Sequence, residues 1–271
     1  MKADLHIHTT FSDGIFTPKE IVTMALASKL QAISITDHDA VEGVLEAQKY
    51  IKNNNYELKI ITGIELGTQV AEHAVHILGY HFDCQNDKLR LVTANLRLAR
   101  EKRLTDIVAK VKNLGYNIGV GKIDGREKSF GRPYVAKQLV KAGYFKNVQE
   151  AFNELLGAGK PGYIPQPKLS PKEAIDLLHA AGGIAILAHP SELNNYNLVQ
   201  QLLTECQFDG IEVWHPSADQ SSEQRWLHLA TELGLLVSGG SDFHGHSGRF
   251  PEKLGDYTIG YNQIKNVIEY S

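Results

Sequence analysis

Histidines and carboxylates in short clusters are the residues of this sequence best suited to chemistry. His6 and His8 stand two apart, with Asp4 before them and Asp13 after. In an extended strand, residues two apart leave the same face, so both imidazoles can meet one cation, with Asp4 beside them. Further along come Asp37-His38-Asp39, then Glu65, His76, and His189 before Pro190. The last cluster is Asp242 and His244 in the run Gly239–His244. His, Asp and Glu are the ligands of borderline and hard divalent cations. No cysteine accompanies them, which speaks for a hydrolytic site with open positions and against a thiolate-rich structural zinc site. His6, His8, Asp13, His38, Glu65, His76, His189, Asp242 and His244 make nine candidate ligands, too many for one ion. Two or three cations are implied, and a carboxylate such as Glu65 suits a bridging position. His215 also reads as a substrate contact or proton carrier. His179 and His228 read as surface or packing residues, and His73, His81 and His246 as bystanders.

These clusters act together only if the fold gathers them. Short apolar runs predict strands at Ala3–Ile7, Ala32–Thr36, Ile60–Leu66, Val75–Tyr80, Ile184–Ala188, Gly210–Val213 and Leu235–Ser238. Bare apolar runs fit strands buried on both faces of a parallel sheet. Thr17-Pro18-Lys19-Glu20 and Ser170-Pro171-Lys172-Glu173 each read as a capping box with proline at the first helical position. Gly182 and Gly234 follow helical patterns and read as C-terminal caps. This alternation predicts an α/β fold, a (β/α) barrel or an open sheet. In both, the carboxyl ends of the strands face one shared site. The clusters lie mostly at such ends, with Glu65 inside a predicted strand and His76 near the start of another.

The block from Asn86 to Pro167 breaks the alternation and reads as helical throughout, at Leu89–Leu114, Pro133–Ala142 and Val148–Leu156. Residues 88–172 hold 18 Lys and Arg against 6 Asp and Glu, whereas the rest of the chain holds 10 against 25. A net charge of −3 therefore hides a basic block within an acidic remainder. A basic block draws polyanions and an acidic remainder draws cations. The expected organisation is a barrel over 1–85 and 168–271 carrying the metal site, with an inserted basic helical cap over 86–167. A hydrophobic fraction of 42% over 271 residues is ample for a core. Cys84 and Cys206 form no C-x-x-C pair, which fits a reducing compartment. The start MKADLHIHTT lacks an apolar leader, and no apolar run nears the roughly 18 residues that span a bilayer. A soluble, cytoplasmic protein is expected, with no membrane association and no obligate protein partner.

Together, DLHIHTTFSDG (4–14), TDHD (36–39), GIE (63–65), AHP (188–190) and GSDFH (240–244) resemble the motifs of the polymerase and histidinol phosphatase, or PHP, family. The motifs keep the family's order and cover all but the insertion. The resemblance implies a distorted (β/α)7 barrel with a trinuclear metal site, holding manganese first, or iron or zinc. It implies one metal on His6, His8, Glu65 and Asp242, a second on Glu65, His76 and His189, and a third on Asp13, His38 and His244. Some relatives carry His where this chain has Asp13, and the SDG form is similar to one subgroup. That subgroup carries an inserted helical domain, resembled here by FGRPYVAKQLVKAGY (130–144) and GAGKPGYIP (157–165). It contains phosphatases that remove the 3'-phosphate of 3',5'-bisphosphonucleosides and 5'-to-3' exoribonucleases acting on short 5'-monophosphorylated RNA. Arg132 and Lys160 match its phosphate-binding positions, whereas Tyr134 stands where relatives usually have His.

Phosphate esters resist hydrolysis because an anionic nucleophile must approach an anionic phosphorus. Clustered cations address both halves, by supplying hydroxide near neutral pH and by neutralising phosphoryl oxygens. Arg132 offers a bidentate grip on phosphate and Lys160 a point charge. Tyr116, Phe130, Tyr134 and Tyr163 are candidates to stack a base, with packing as the alternative role. The expected activity is metal-dependent hydrolysis of nucleotide or short-RNA phosphate esters by a metal-activated hydroxide. Three alternatives remain at this point: a histidinol phosphatase, a non-catalytic metal-binding accessory module, and a nucleic-acid-binding protein with the barrel as scaffold.

Overall fold

Strand and helix alternate along most of the chain, and one hairpin interrupts the parallel order. The computed structural model describes residues 1–119, 131–166 and 168–270. Its strands are β1 (Lys2–Ile7), β2 (Ala32–Ile35), β3 (Lys59–Val70), β4 (His73–Tyr80), β5 (Ile184–Leu187), β6 (Gly210–Trp214), β7 (Leu236–Gly239) and β8 (Ile259–Gly260). The helices are α1 (Pro18–Ala27), α2 (Glu42–Asn54), α3 (Asp87–Asn113), α4 (Arg132–Lys141), α5 (Val148–Ala151), α6 (Pro171–Ala180), α7 (Tyr196–Glu205), α8 (Gln220–Leu233) and α9 (Lys265–Ile268). A π-turn over Phe152–Leu156 continues α5. The chain divides into two compact units, Met1–Val92 with Lys168–Ser271, and Thr93–Pro167.

The first unit is a nearly closed α/β barrel. Its eight strands run in the order β7-β6-β5-β4-β3-β2-β1-β8. Beyond β7 the chain returns to β1: Ile7 bridges Phe243, and His8 N–H donates to the Phe243 carbonyl at 2.9 Å. Only glycine allows this approach, because a Cβ on Gly240 would lie 2.4 Å from the His6 nitrogen. β4 pairs antiparallel with both β3 and β5, so the sheet is mixed where an all-parallel one is expected from the apolar runs. The reversal matters for the site. It puts the start of β4, where His76 lies, at the rim that the other strands reach with their carboxyl ends. β8, which pairs antiparallel with β1, is two residues long and escapes a reading based on apolar runs.

Both predicted capping boxes form, at Thr17 and Ser170. Gly234 ends α8 in the left-handed conformation at φ +66°, the geometry that favours glycine there. One buried cluster packs strand residues such as Ile33 and Leu66 against helix residues such as Val44 and Leu178. A second joins Leu5, Ile61, Leu78, Tyr80 and Ile186 to Val267 and Ile268 of α9.

The second unit has a core of its own. Leu104, Ile107 and Val111 form a stripe along α3 and pack with Val135 and Leu139 of α4 and with Leu155 and Leu156. Positions three and four apart share a helix face, so this spacing buries one side of α3. Among the described residues, no helix is long and apolar enough to cross a membrane.

Candidate metal centre

Local structure aims each side chain of the centre. β1 carries His6, with His8 just past its end, and its register against β2 shifts between Asp4 and Ile7. Simple alternation fails there, so Asp4 does not join His6 and His8. Its Oδ1 instead accepts from the Ser241 N–H (2.9 Å) and the His6 N–H (3.2 Å), tying the loop after β7 to β1. After His8 the chain turns so tightly that a Cβ on Gly14 would meet the His8 carbonyl oxygen at 2.4 Å. Asp37 holds this turn by accepting from Thr9 N–H, Thr9 Oγ1–H and Ser12 Oγ–H at 2.6–2.7 Å. Of the three residues Asp37-His38-Asp39, only His38 therefore reaches the cluster. His189 and Asp242 follow β5 and β7 in the loops beyond their ends, at φ +26° and +50°. Non-glycine residues held there cost about 1–3 kcal/mol each, and such strain gathers at functional sites. His189 is fixed by its N–H donating to Glu212 Oε2 at 2.7 Å.

Glu65 is the hub. Its Oε1 lies 2.8 Å from His76 Nδ1 and 3.1 Å from His189 Nε2. Its Oε2 lies 3.1 Å from His38 Nδ1, 3.2 Å from His8 Nε2 and 3.4 Å from His6 Nε2. Asp242 Oδ1 faces the same two rings, at 3.1 Å from His8 Nε2 and 3.4 Å from His6 Nε2. Asp13 Oδ1 lies 3.2 Å from His244 Nε2, and its Oδ2 lies 3.9 Å from His38 Nε2. All nine candidate ligands thus meet in one cluster. Three groups in it have ligand atoms close enough to share an ion: His6-His8-Glu65-Asp242, His8-Asp13-His38-His244 and His38-Glu65-His76. His38 stands beside His76 in this grouping, while His189 reaches the same Glu65 oxygen by hydrogen bond. A fourth group, Glu192-His215-Asp242, lies at the edge.

The donor set fits divalent cations. His6 Nε2, His8 Nε2, Asp13 Oδ1, Glu65 Oε2 and His76 Nδ1 are buried without an aligned hydrogen-bond partner. Each such atom costs about 1–3 kcal/mol when nothing satisfies it. Five converging on one space are the pattern that cations would relieve. His6 is also oriented for ligation. Its Nδ1 lies 3.0 Å from Glu212 Oε1, which leaves Nε2 to face Glu65 and Asp242.

Charge in the cluster is strongly coupled. Burial opposes the charged form of Glu65, Asp13 and Asp242, yet the surrounding imidazoles hold all three well below the usual carboxylate range. Burial likewise opposes a proton on His8 and His189, but hydrogen bonds to carboxylates raise them to about 10 and about 9. Burial wins at His38, which falls to about 3.

Several side chains near the centre have other work. His81 Nε2 lies 2.6 Å from the Val267 carbonyl, and His246 Nε2 lies 3.0 Å from the Asp13 carbonyl. His179 pairs with Asp209, His228 with Glu232 and His73 with Glu72. Two contributors are not apparent from the clusters alone. Glu212 is wholly buried inside an apolar strand, and a lone charge in such a run was the available signal. Arg249 donates to Asp242 Oδ2. The helical unit has charged groups of its own.

In that unit Arg103 is 7% exposed, and donates from Nε to the Ile164 carbonyl (2.8 Å) and from Nη1 to Gln166 Oε1 (3.0 Å). Burial, then the nearness of Arg132, lowers its pKa. Arg132 opens α4, donates to the Leu156 carbonyl (3.3 Å) and lies 5.3 Å from the Tyr163 ring and 5.6 Å from the Phe152 ring. Lys160 is exposed in the turn between Gly157 and Tyr163. Tyr116 stacks on Phe145 and, with Tyr134, packs on the helical core. Of the candidates to stack a base, Tyr163 has a cation, Arg132, over its ring, and Phe130 lies outside the described residues.

Comparison with known proteins gives one consistent picture. The family model described as PHP domain matches residues 4–182. A 5'-3' exoribonuclease of Haemophilus influenzae is 34% identical over 251 residues, 90% of this chain and 90% of the relative. A 3',5'-nucleoside bisphosphate phosphatase of Chromobacterium violaceum is 30% identical over 258 residues, 91% of this chain and 89% of the relative. A solved structure from Bifidobacterium adolescentis, described as a metal-dependent phosphoesterase, superposes with a TM-score of 0.80. It is 29% identical and covers 98% of this chain and 95% of its own.

Proposed function

The chain belongs to the PHP domain family and is a phosphoric ester hydrolase, and from that premise we propose that it hydrolyses phosphate esters of nucleotides. The substrate is either the 3'-phosphate of a 3',5'-bisphosphonucleoside or the 5' end of a short 5'-monophosphorylated RNA. The observation that carries this reading is the cluster around Glu65, five of whose buried ligand atoms lack an aligned hydrogen-bond partner. In our reading His6, His8, Glu65 and Asp242 hold one divalent cation. His76 and His189 share Glu65 for a second, and Asp13, His38 and His244 hold a third, with manganese the first choice over iron or zinc. Cations bound to such ligands lower the pKa of water toward neutrality and neutralise phosphoryl charge.

The chain's own residues supply the rest. Glu212 keeps the His6 ring turned so that Nε2 faces Glu65 and Asp242. Asp37 fixes the turn that presents Asp13. In the helical unit, the basic block with Arg132, Arg103 and Lys160 recognises phosphate and draws in polyanions. Two guanidinium groups in one partly buried region, with no ion pair of their own among the described residues, favour a multiply charged substrate over a neutral ester. Tyr163 beside Arg132 offers a face for a base.

The direct test is hydrolysis of 3',5'-bisphosphoadenosine and of a 5'-phosphorylated RNA oligomer in manganese, with Asp242→Ala as control. Turnover of either that disappears in Asp242→Ala is the expected result, and the ratio of the two rates separates phosphatase from exoribonuclease. Protein shown to hold manganese that turns over neither substrate would overturn the nucleotide assignment.

A further inference from the structure

Asp242 uses its two oxygens differently. Oδ1 faces inward, toward His6 and His8. Oδ2 faces the edge of the cluster, where Arg249 Nη2 donates to it and His215 Nε2 stands 3.7 Å away. Arg249 sits in the loop after His244, where its own N–H donates to the His246 carbonyl at 3.2 Å. His246 in turn reaches the Asp13 carbonyl, so the loop that carries Arg249 is tied to the loop that carries Asp13.

The donors at this edge exceed the acceptors. A guanidinium has five N–H donors. Among the described residues, Asp242 is the only side-chain partner of Arg249, whose side chain is 45% exposed. His215 is oriented by its neighbours. The backbone N–H of Ser217 donates to its Nδ1 at 3.1 Å, so Nδ1 is an acceptor and the proton of the neutral ring sits on Nε2. That N–H is buried in a residue 3% exposed and has no aligned hydrogen-bond partner among the described residues. The same tautomer disfavours a cation at Glu192-His215-Asp242, because the ring offers no lone pair toward it. Two donors, one fully charged, therefore point at one edge of Asp242; among the described residues its Oδ2 is the one carboxylate oxygen within 4.0 Å of them, and a Glu192 oxygen stands farther off, within 4.8 Å of a His215 ring nitrogen.

We propose that Arg249 and the Nε2–H of His215 form a phosphoryl-oxygen clamp at this edge, with Arg249 the phosphate-holding cation of the barrel unit. The clamp rests on the phosphoesterase reading above and adds the group that distinguishes a dianionic monoester from a less charged ester. Arg249 spends one N–H on Asp242 and offers its remaining donors to two oxygens of the bound phosphoryl group, the bidentate geometry that guanidinium suits. His215 donates to an oxygen on the same side. Linking the phosphate to the carboxylate through one guanidinium fixes its position relative to the cluster.

The test is calorimetric binding of inorganic phosphate to manganese-loaded protein, for the natural chain, Arg249→Gln and Arg249→Lys, with metal content measured by mass spectrometry. Arg249→Gln is expected to weaken phosphate binding roughly 10- to 100-fold, the loss of a charge-assisted hydrogen bond. Arg249→Lys recovers part of that loss, and metal content is the same in all three proteins. Phosphate affinity in Arg249→Gln within about twofold of the natural chain, at equal metal content, overturns the clamp while leaving the phosphoesterase reading intact. Loss of manganese from Arg249→Gln also overturns it, by making Arg249 a brace for Asp242. A natural chain that holds manganese but binds no phosphate overturns the phosphoesterase reading and the clamp together.

Discussion

The barrel unit and the helical unit bury charge of opposite sign, and each leaves that charge incompletely answered. In the barrel, carboxylates and imidazoles crowd around Glu65, and five buried ligand atoms have no aligned partner. In the helical unit, burial and then the nearness of Arg132 lower the pKa of Arg103, and among the described residues neither guanidinium has an ion pair. Burying a charge is costly unless something pairs with it. The barrel thus asks for cations and the helical unit for anions. Sign and burial together say more than either does alone, since an exposed charge of either sign needs no explanation.

The comparison breaks most visibly at the hub. Glu65→Gln removes the carboxylate that faces five imidazoles, and loss of bound metal and of hydrolysis to background is expected. Metal analysis and the nucleotide assay read the two effects. Retained metal with retained activity would mean that Glu65 is not the centre of the site. A smaller effect is expected one step out, at Glu212. Glu212→Gln leaves every proposed ligand in place but weakens the hold on His6 Nδ1. Outer partners of this kind are worth about 10- to 100-fold in metal affinity. Titration against a competing chelator should show a fall in that range.

The helical unit should respond in the opposite register. Arg103→Met keeps much of the stem's packing and removes the buried charge. KM for 3',5'-bisphosphoadenosine is expected to rise about tenfold, with metal content unchanged. The rate should also become less sensitive to salt. A drop in metal content with unchanged KM would show that the division of labour between the two units is wrong.

Much of this was legible in the residues. His6, His8, Asp13, His38, Glu65, His76, His189, Asp242 and His244 stand out because several His and carboxylates flank apolar runs, and the fold gathers them all. The capping boxes were readable for the same reason, that a local rule names the residue types. Hidden features depend on tertiary pairing. Nothing in the spacing of His76 shows that β4 runs antiparallel, although that reversal brings its first residues to the rim. The register shift in β1 took Asp4 away from His6, because alternation fails wherever a strand bulges. Glu212 looked like part of an apolar strand, and its two hydrogen bonds, to His6 and to the His189 N–H, span 206 and 23 residues. Arg103 sat unmarked in a basic helix until its burial distinguished it from the lysines around it.

The smallest effect sharpens the comparison by touching neither charged cluster. Thr17 caps α1, its side chain accepting from the Glu20 N–H while Glu20 accepts from Thr17 N–H and Oγ1–H. Thr17→Ala should cost about 1 kcal/mol of stability, within the range for lost caps. Hydrolysis per folded molecule and metal content should stay unchanged. Glu20 adds a pH signature. The Thr17 hydrogen bonds depress its pKa below the ordinary 4.5. A depressed carboxyl contributes its stability fully above the unfolded value and loses it as pH falls through the folded one. The gap between the natural chain and Thr17→Ala should therefore be widest near neutrality and narrow below about pH 4. Denaturant melts at pH 7 and pH 3.5 measure it. A gap that does not shrink in acid would mean that the cap acts through the threonine alone, with no help from Glu20.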